Sequence, residues 1–154
     1  MTTVEPIRNW DEILKVERIF TNPKQGQRNL LFFTIGTNCG LRISDILRLN
    51  VGDVRGKIHI QIIEKKTGKF KKFPINSKLK PMFAEYTKGK RSDEPLFVKI
   101  FGNRLERVTA YYIIRDACKE AGLEEKKWNS YIEKNFWISS LQEKQRCCYP
   151  AKNF

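Results

Sequence analysis

Residues 38–54, NCGLRISDILRLNVGDV, are followed closely by residues 58–75, IHIQIIEKKTGKFKKFPI, and these two stretches decide the fold. In the first stretch, leucine and isoleucine residues recur at helical spacing between polar ones. In the second stretch, apolar and polar residues alternate, which is typical of a half-buried strand, and Gly68 interrupts the alternation. The sequence therefore predicts a helix followed by an antiparallel β-hairpin with Gly68 at its tip.

Helical periodicity on both sides of these stretches predicts a mostly helical domain, so the expected fold class is α+β with a small antiparallel sheet. Caps and apolar spacing place the other elements: a helix capped by Asp11 and ended by Asn22-Pro23, a helix over residues 27–38 stopped by Gly40, a turn at Gly52-Asp53, a helix capped by Ser77, a strand at residues 96–98, and a helix from Arg107 to Gly122.

Positive charge is concentrated in one part of the 154-residue chain, whose net charge is +13. Residues 55–91 hold twelve basic and two acidic side chains, so this segment alone contributes +10. Five of its lysines lie on the predicted hairpin around a single acidic residue, Glu64. Like charges this close repel one another unless an anion lies against them. The pattern favours a nucleic-acid partner over a merely solvated face, and phosphate attraction alone leaves both DNA and RNA open.

Other features of the composition argue against a metal enzyme and against a membrane protein. The four cysteines have no C-x-x-C spacing, and His59 is the only histidine. The apolar run at residues 30–36 is far shorter than the roughly 20 residues that span a bilayer, and the N-terminus has no signal-peptide core. We expect a reduced, cytoplasmic protein with no metal and no cofactor, in which Cys39 and Cys118 are packing residues.

The motif at residues 40–45, GLRISD, is accompanied by Asp53 and by Lys66, which lies eight residues before Pro74. This combination resembles the first half of the catalytic domain of the tyrosine recombinases, the phage integrase family, and the resemblance covers about residues 10–123. It implies metal-free strand exchange in double-stranded DNA. In that reaction a tyrosine attacks a phosphodiester, and the resulting 3′-phosphotyrosyl link is reversed by a second 5′-hydroxyl.

The resemblance implies roles for individual residues. Arg42 would hold two non-bridging oxygens of the scissile phosphate with its guanidinium, and Asp45 would support the site without acting as an acid or base. Lys66 would donate a proton to the departing 5′ oxygen, and Lys65 or Lys69 would take that role if the turn register differs by a residue. The residues alone leave a second interpretation open, in which Arg42 is an exposed helix-start arginine paired with Asp45.

The other basic residues of the hairpin are expected to neutralise DNA phosphates without a part in the chemistry, and they are Lys65, Lys69, Lys71 and Lys72. The central expectation is that Arg42 and Lys66 converge on one anion site. Placement of the two side chains on opposite sides of the molecule, or burial of either cation against an internal carboxylate, would overturn it.

Residues 126–154 do not continue the resemblance. The family completes its site with an H-x-x-R pair and a nucleophilic tyrosine, whereas this chain has no such pair and its Tyr149 lies in an unrelated context, CCYPAKNF. When the tail is back-translated with permitted codons and shifted by one base, it encodes GTHTLRKTFGYHL, and the two tryptophan codons force both glycines. We therefore expect a partial catalytic domain at residues 1–125 and an out-of-frame tail at residues 126–154.

The expected function is that of a DNA-binding fragment of a tyrosine recombinase, with little or no recombination activity. The alternative is a non-catalytic DNA-binding or regulatory protein that competes with an intact recombinase. Self-association is a further expectation, because an out-of-frame tail would leave the helix at residues 107–122 without its packing partner.

Overall fold

The computed structural model describes residues 10–21, 26–39 and 41–123. In chain order, the elements are α1 (Trp10–Phe20), α2 (Gly26–Cys39), α3 (Ile43–Leu47), α4 (Val51–Val54), β1 (His59–Ile63), β2 (Phe70–Pro74), α5 (Leu79–Tyr86) and α6 (Arg107–Glu120). The two strands pair antiparallel. The described residues therefore have the predicted α+β architecture, with helices in the majority and one small sheet.

Helix α2 lies at the centre of the core because its residues are apolar on nearly every side. It packs against α1, α3 and α5. Phe33 contacts Phe20 of α1 with ring centroids 5.5 Å apart, and Phe32 meets the ring of Phe97 edge-on at 5.3 Å. The buried Thr34 is tolerated here because its hydroxyl donates to a carbonyl one turn earlier, at 2.7 Å. The helix predicted over residues 27–38 is confirmed.

Strands β1 and β2 form the predicted hairpin. Ile60 pairs with Phe73, and both side chains pack against the core. Ile63 pairs with Phe70, and since side chains alternate along a strand, this second pair lies on the opposite, outer face. Gly68 in the connecting turn has a φ of +67°, a conformation that glycine adopts without a steric penalty. The tip predicted at Gly68 is confirmed.

The helix predicted within residues 38–54 is replaced by two short helices. Helix α3 ends at Leu47, and α4 begins at Val51 in place of the turn expected at Gly52-Asp53. Asp53 explains the difference, because its Oδ2 accepts a hydrogen bond from the N–H of Asn50 at 2.8 Å and so satisfies a donor at the start of α4.

Two predicted caps lie elsewhere in the structure. Ser77 does not cap α5, because the side-chain oxygen of Asn76 accepts the hydrogen bond from the N–H of Leu79 at 2.9 Å. Asp11 lies inside the first turn of α1, which begins at Trp10, and not before the helix as predicted, so its negative charge lies near the positive end of the helix. The helix stops predicted at Asn22-Pro23 and Gly40 lie outside the described residues.

Residues 96–98 do not form the predicted strand. Pro95, just before them, forms an isolated bridge with Asn50, and Val98 forms another with Arg104, so the pairing is too short to make a strand. Helix α6 ends as predicted, with Gly122 at a φ of +77°. None of the helices within the described ranges has the length and apolar content needed to cross a bilayer.

Candidate functional site

Arg42 is held at the start of α3 by its backbone. It has an extended conformation, with φ −66° and ψ 148°, and its carbonyl accepts hydrogen bonds from the N–H groups of Asp45 and Ile46, both at 3.0 Å. Its neighbours Leu41 and Ile43 are buried in the core. Because the chain is anchored on both sides, the Arg42 side chain, which is 27% exposed, is confined to one region of the surface.

Glu64 at the root of the hairpin turn lies against Arg42. Its Oε2 is 3.8 Å from Nη1 of Arg42 and accepts a hydrogen bond from the Thr67 hydroxyl at 2.7 Å, and its Oε1 pairs with Lys71. The carboxylate is buried. Hydrogen bonds from Lys71 and Thr67 lower the pKa of Glu64, because they favour its charged form more strongly than burial opposes it. Glu64 therefore carries a negative charge between two cations.

Two further contacts join the α3 segment to the hairpin. Oδ1 of the buried Asp45 accepts a hydrogen bond from the backbone N–H of Lys65 at 3.3 Å. Nη1 of Arg48 donates to the carbonyl of Ile63 at 3.3 Å and lies 3.7 Å from Oδ1 of Asp45. The ion-pair partner of Asp45 in these contacts is therefore Arg48, whereas the interpretation from the residues alone paired Asp45 with Arg42. The hairpin is therefore held on α3 at two points, at Ile63 at the end of β1 and at Lys65 in the turn.

The structure distributes the hairpin lysines in two groups. All five are exposed, but Lys71 differs from Lys65, Lys66, Lys69 and Lys72 in its ion pair with the buried Glu64. Lys66 lies in the turn, two residues beyond Glu64. Contacts of Glu64 and Asp45 bring this turn against the Arg42 segment. These contacts do not include the Lys66 side chain itself, and the convergence of Arg42 and Lys66 on one anion stays a prediction. Nη1 of Arg42 is buried beside the internal Glu64 carboxylate, which the phosphate role did not predict, while the side chain as a whole is 27% exposed.

Arg104 supports the segment that follows α3. Its Nη1 donates to the carbonyls of Leu47 and Leu49 at 2.8 and 3.2 Å, and its Nη2 donates to Oδ1 of Asn50 at 2.6 Å. These bonds hold the segment between α3 and α4 in place. Sequence analysis assigned no role to Arg104, because no local pattern shows which carbonyls a distant arginine will reach.

Three more of the residues at this site were not predicted as site residues: Arg48, Glu64 and Thr67. Glu64 had a signal, since it is the one acidic residue among the five lysines of the hairpin. A lone carboxylate in such a position indicates an internal counter-ion. Arg48 and Thr67 had no comparable signal, because their bonds depend on how the hairpin lies on α3.

The described residues include no cluster of three or more histidine, cysteine, aspartate or glutamate side chains that could hold a metal ion. His59 lies on β1 opposite Pro74. Cys39 and Cys118 are buried in the core as predicted, and burial raises the pKa of the Cys118 thiol to about 12.

Comparison with known proteins shows to which family the chain belongs. Residues 11–132 match the Phage integrase family. The chain belongs to this family. A relative from Bacillus subtilis (strain 168), described as a probable integrase/recombinase YoeC, is 40% identical over 126 residues, which are 81% of this chain and 68% of the relative. The tyrosine recombinase XerC of Caldanaerobacter subterraneus subsp. tengcongensis is 26% identical over 110 residues, which are 68% of this chain and 31% of that protein.

Solved structures of integrases and recombinases share the fold. The XerA recombinase superposes with a TM-score of 0.70 at 19% identity, covering 92% of this chain and 52% of its own. The lambda integrase bound to DNA superposes with a TM-score of 0.64 at 17% identity, covering 80% of this chain and 45% of its own. The chain thus spans about half the length of these two structures. The α+β fold and the phage integrase resemblance are confirmed.

Proposed function

We propose that this member of the phage integrase family binds double-stranded DNA in the cytoplasm, with Arg42 on a backbone phosphate and the basic hairpin against the adjacent groove. The observation that carries the proposal is the docking of the hairpin turn on α3 through Glu64 and Asp45. Because the docked turn lies against the Arg42 segment, the Arg42 guanidinium and the hairpin lysines are proposed to share one surface. The lambda integrase structure, which holds DNA, has the same fold and lends further support.

Arg42 suits a phosphate because its planar guanidinium presents several N–H donors in a fork that matches two phosphate oxygens. Nη1 of Arg42 lies 3.8 Å from the Glu64 carboxylate, and the phosphate is proposed to compete with that carboxylate for the cation. Asp45 is proposed to act as a positioning residue, since it holds the backbone of the turn that carries Lys66. Lys66 is proposed to reach the departing 5′ oxygen, with Lys65 and Lys69 as the alternatives.

The remaining hairpin lysines are proposed to neutralise DNA phosphates. Lys65, Lys69 and Lys72 are exposed, whereas Lys71 is already paired with Glu64. Loss of an exposed lysine that contacts a phosphate should lower the slope of log K against log salt by about 0.9. Loss of Lys71 should change that slope less and should also disturb the turn.

Binding is tested by fluorescence anisotropy of a labelled DNA duplex at several salt concentrations. Arg42→Ala should weaken binding and lower the salt slope by about 0.9. Arg115→Ala is the matched control, because the Arg115 side chain is similarly exposed, at 29%, and pairs with Asp116 on α6, outside the hairpin. If Arg42→Ala and Arg115→Ala reduce the affinity and the salt slope by the same amount, Arg42 does not contact a DNA phosphate and the proposal is wrong.

We also propose that these 154 residues do not complete strand exchange by themselves. Their single histidine, His59, is not part of an H-x-x-R pair. A suicide DNA substrate traps any phosphotyrosyl intermediate, and we expect no covalent protein–DNA adduct on a denaturing gel. An adduct that survives denaturation would overturn this part of the proposal.

The tail is proposed to be translated out of frame from about residue 126. The family match ends at residue 132, close to this boundary, and the shifted frame encodes GTHTLRKTFGYHL. Sequencing the gene tests the proposal directly. A gene in which no one-base change restores an H-x-x-R frame would exclude it.

A regulatory role is the second candidate, and the combination of an intact Arg42 segment with a missing H-x-x-R pair favours it. In this role the chain would occupy the DNA site of an intact recombinase or associate with that protein. Adding the chain to a recombination assay of an intact family member should inhibit the reaction, and Arg42→Ala should relieve the inhibition. Competition between duplex DNA and RNA at fixed salt tests which nucleic acid is preferred.

A further inference from the structure

Glu64 is shared between the hairpin and the start of α3. Its Oε1 forms the ion pair with Lys71, and its Oε2 accepts the hydrogen bond from the Thr67 hydroxyl at 2.7 Å. The same Oε2 lies 3.8 Å from Nη1 of Arg42. Two of these contacts therefore belong to the hairpin itself, and the third crosses to the residue that is proposed to bind a DNA phosphate.

This arrangement keeps a negative charge beside Arg42. The Glu64 side chain is only 8% exposed, and the hydrogen bonds from Lys71 and Thr67 lower its pKa, so the carboxylate is charged at neutral pH. Neither of these two bonds involves Arg42, so both can persist when Arg42 takes another partner. A phosphate that approaches Arg42 therefore meets a cation whose charge is already partly balanced, and the neighbouring carboxylate repels it.

We propose that Glu64 is an autoinhibitory contact, an internal anion that competes with DNA for Arg42 and lowers the affinity of the site for phosphate. When a DNA phosphate binds, Glu64 gives up Nη1 of Arg42 and keeps Lys71 and Thr67, so the exchange does not require the turn to unfold. An arginine that is balanced in this way binds a lone phosphate weakly and depends on the further phosphates that a duplex supplies. The inference rests on the proposed DNA-binding function and names the contact that regulates it.

The inference predicts that removal of the Glu64 charge raises the affinity for DNA. Glu64→Gln keeps the shape of the side chain and should tighten duplex binding about tenfold in the anisotropy assay, because the lost charge lies in a medium of lower dielectric constant than water. Glu17→Gln is the matched control. The Glu17 side chain is 13% exposed and pairs with Lys78, which is 47% exposed, just as Glu64 pairs with the 46% exposed Lys71. This control changes the net charge equally and should alter the affinity about twofold or less.

A double-mutant cycle assigns the gain in affinity to Arg42. In an Arg42→Ala background, Glu64→Gln should change the affinity no more than Glu17→Gln does, because the cation for which Glu64 and DNA compete is absent. A gain of full size without Arg42 would show that Glu64 acts on the charge of the whole hairpin, and it would overturn the inference. Weaker duplex binding by Glu64→Gln than by the wild type would also overturn it, since Glu64 would then position Arg42 for DNA.

A measurement on the wild type does not depend on how well Glu64→Gln folds. In isotope-labelled protein, the NMR resonance of the Glu64 carboxylate carbon should shift when duplex DNA is added, whereas that of Glu17 should stay in place. A Glu64 resonance that does not respond to saturating duplex would exclude the exchange of partners.

The outcomes distinguish the inference from the proposed function. If Arg42→Ala leaves duplex binding unchanged, the proposed function itself fails. If Arg42→Ala weakens binding while Glu64→Gln behaves like Glu17→Gln, Arg42 contacts DNA and only the competition by Glu64 is wrong.

Discussion

Replacing Glu64 by glutamine removes one negative charge from the contact between the hairpin turn and Arg42 while keeping the shape of the side chain. The Arg42–Glu64 attraction across 3.8 Å is about 4 kcal/mol at an effective dielectric constant of about 20, before desolvation is counted. Desolvation of the buried carboxylate offsets most of this energy, and Lys71 is half exposed. We therefore expect Glu64→Gln to lower the free energy of unfolding at pH 7 by about 1–2 kcal/mol.

The effect should depend on pH with a defined sign. The pKa of Glu64 is lowered in the folded state from its ordinary value of 4.5, so its charge stabilises the fold above that value. This stabilisation is lost as the pH falls below 4.5 through the folded-state pKa, where the wild-type side chain becomes neutral like glutamine. The difference in unfolding free energy between wild type and variant should therefore shrink toward zero in acid.

Urea unfolding followed by circular dichroism between pH 7 and pH 3 measures this difference. Glu106→Gln is the control, because Glu106 pairs with Lys99 at 2.7 Å on an exposed surface and its loss should cost about 0.5 kcal/mol or less. A Glu64→Gln effect that equals the control, or that stays the same across the pH range, would refute the view that Glu64 is a charged internal counter-ion.

Three further predictions concern the framework of the site. Arg104→Ala should lower the free energy of unfolding by about 2 kcal/mol, because two backbone carbonyls and the Asn50 side chain lose a charged donor. A urea midpoint equal to that of the wild type would contradict this prediction. Gly68→Ala should cost about 1 kcal/mol in the same assay and Gly68→Asn less, since the position has a positive φ and open space around it; equal costs would exclude backbone strain as the cause. Cys118 should resist alkylation at pH 8 in the folded protein and react in urea, because burial raises the pKa of its thiol to about 12. Peptide mapping by mass spectrometry measures the labelling, and labelling of Cys118 without denaturant would disprove this protection.

Elements with a strong local signal were predicted well, and elements that need a partner were not. Helix α2 and the hairpin around Gly68 follow from apolar spacing and from a residue that tolerates positive φ. The strand expected at residues 96–98 is missing, because a strand requires a continuous row of partners and this segment meets only isolated bridges. The predicted cap of α5, Ser77, was also wrong. Asn76 caps the helix instead, and the choice between these two adjacent polar residues depends on the direction of their side chains.

In the candidate site, too, local features could be predicted and contacts between distant residues could not. The sequence by itself determined that Arg42 begins a short helix, that a lysine-rich hairpin follows, and that Glu64 is the single acid within it. Only the tertiary structure decided that Arg42 lies beside Glu64 and that Arg48 forms an ion pair with Asp45. Ion pairs and hydrogen bonds act over a few ångströms, so the packing of the hairpin on the core decides which charges come within reach.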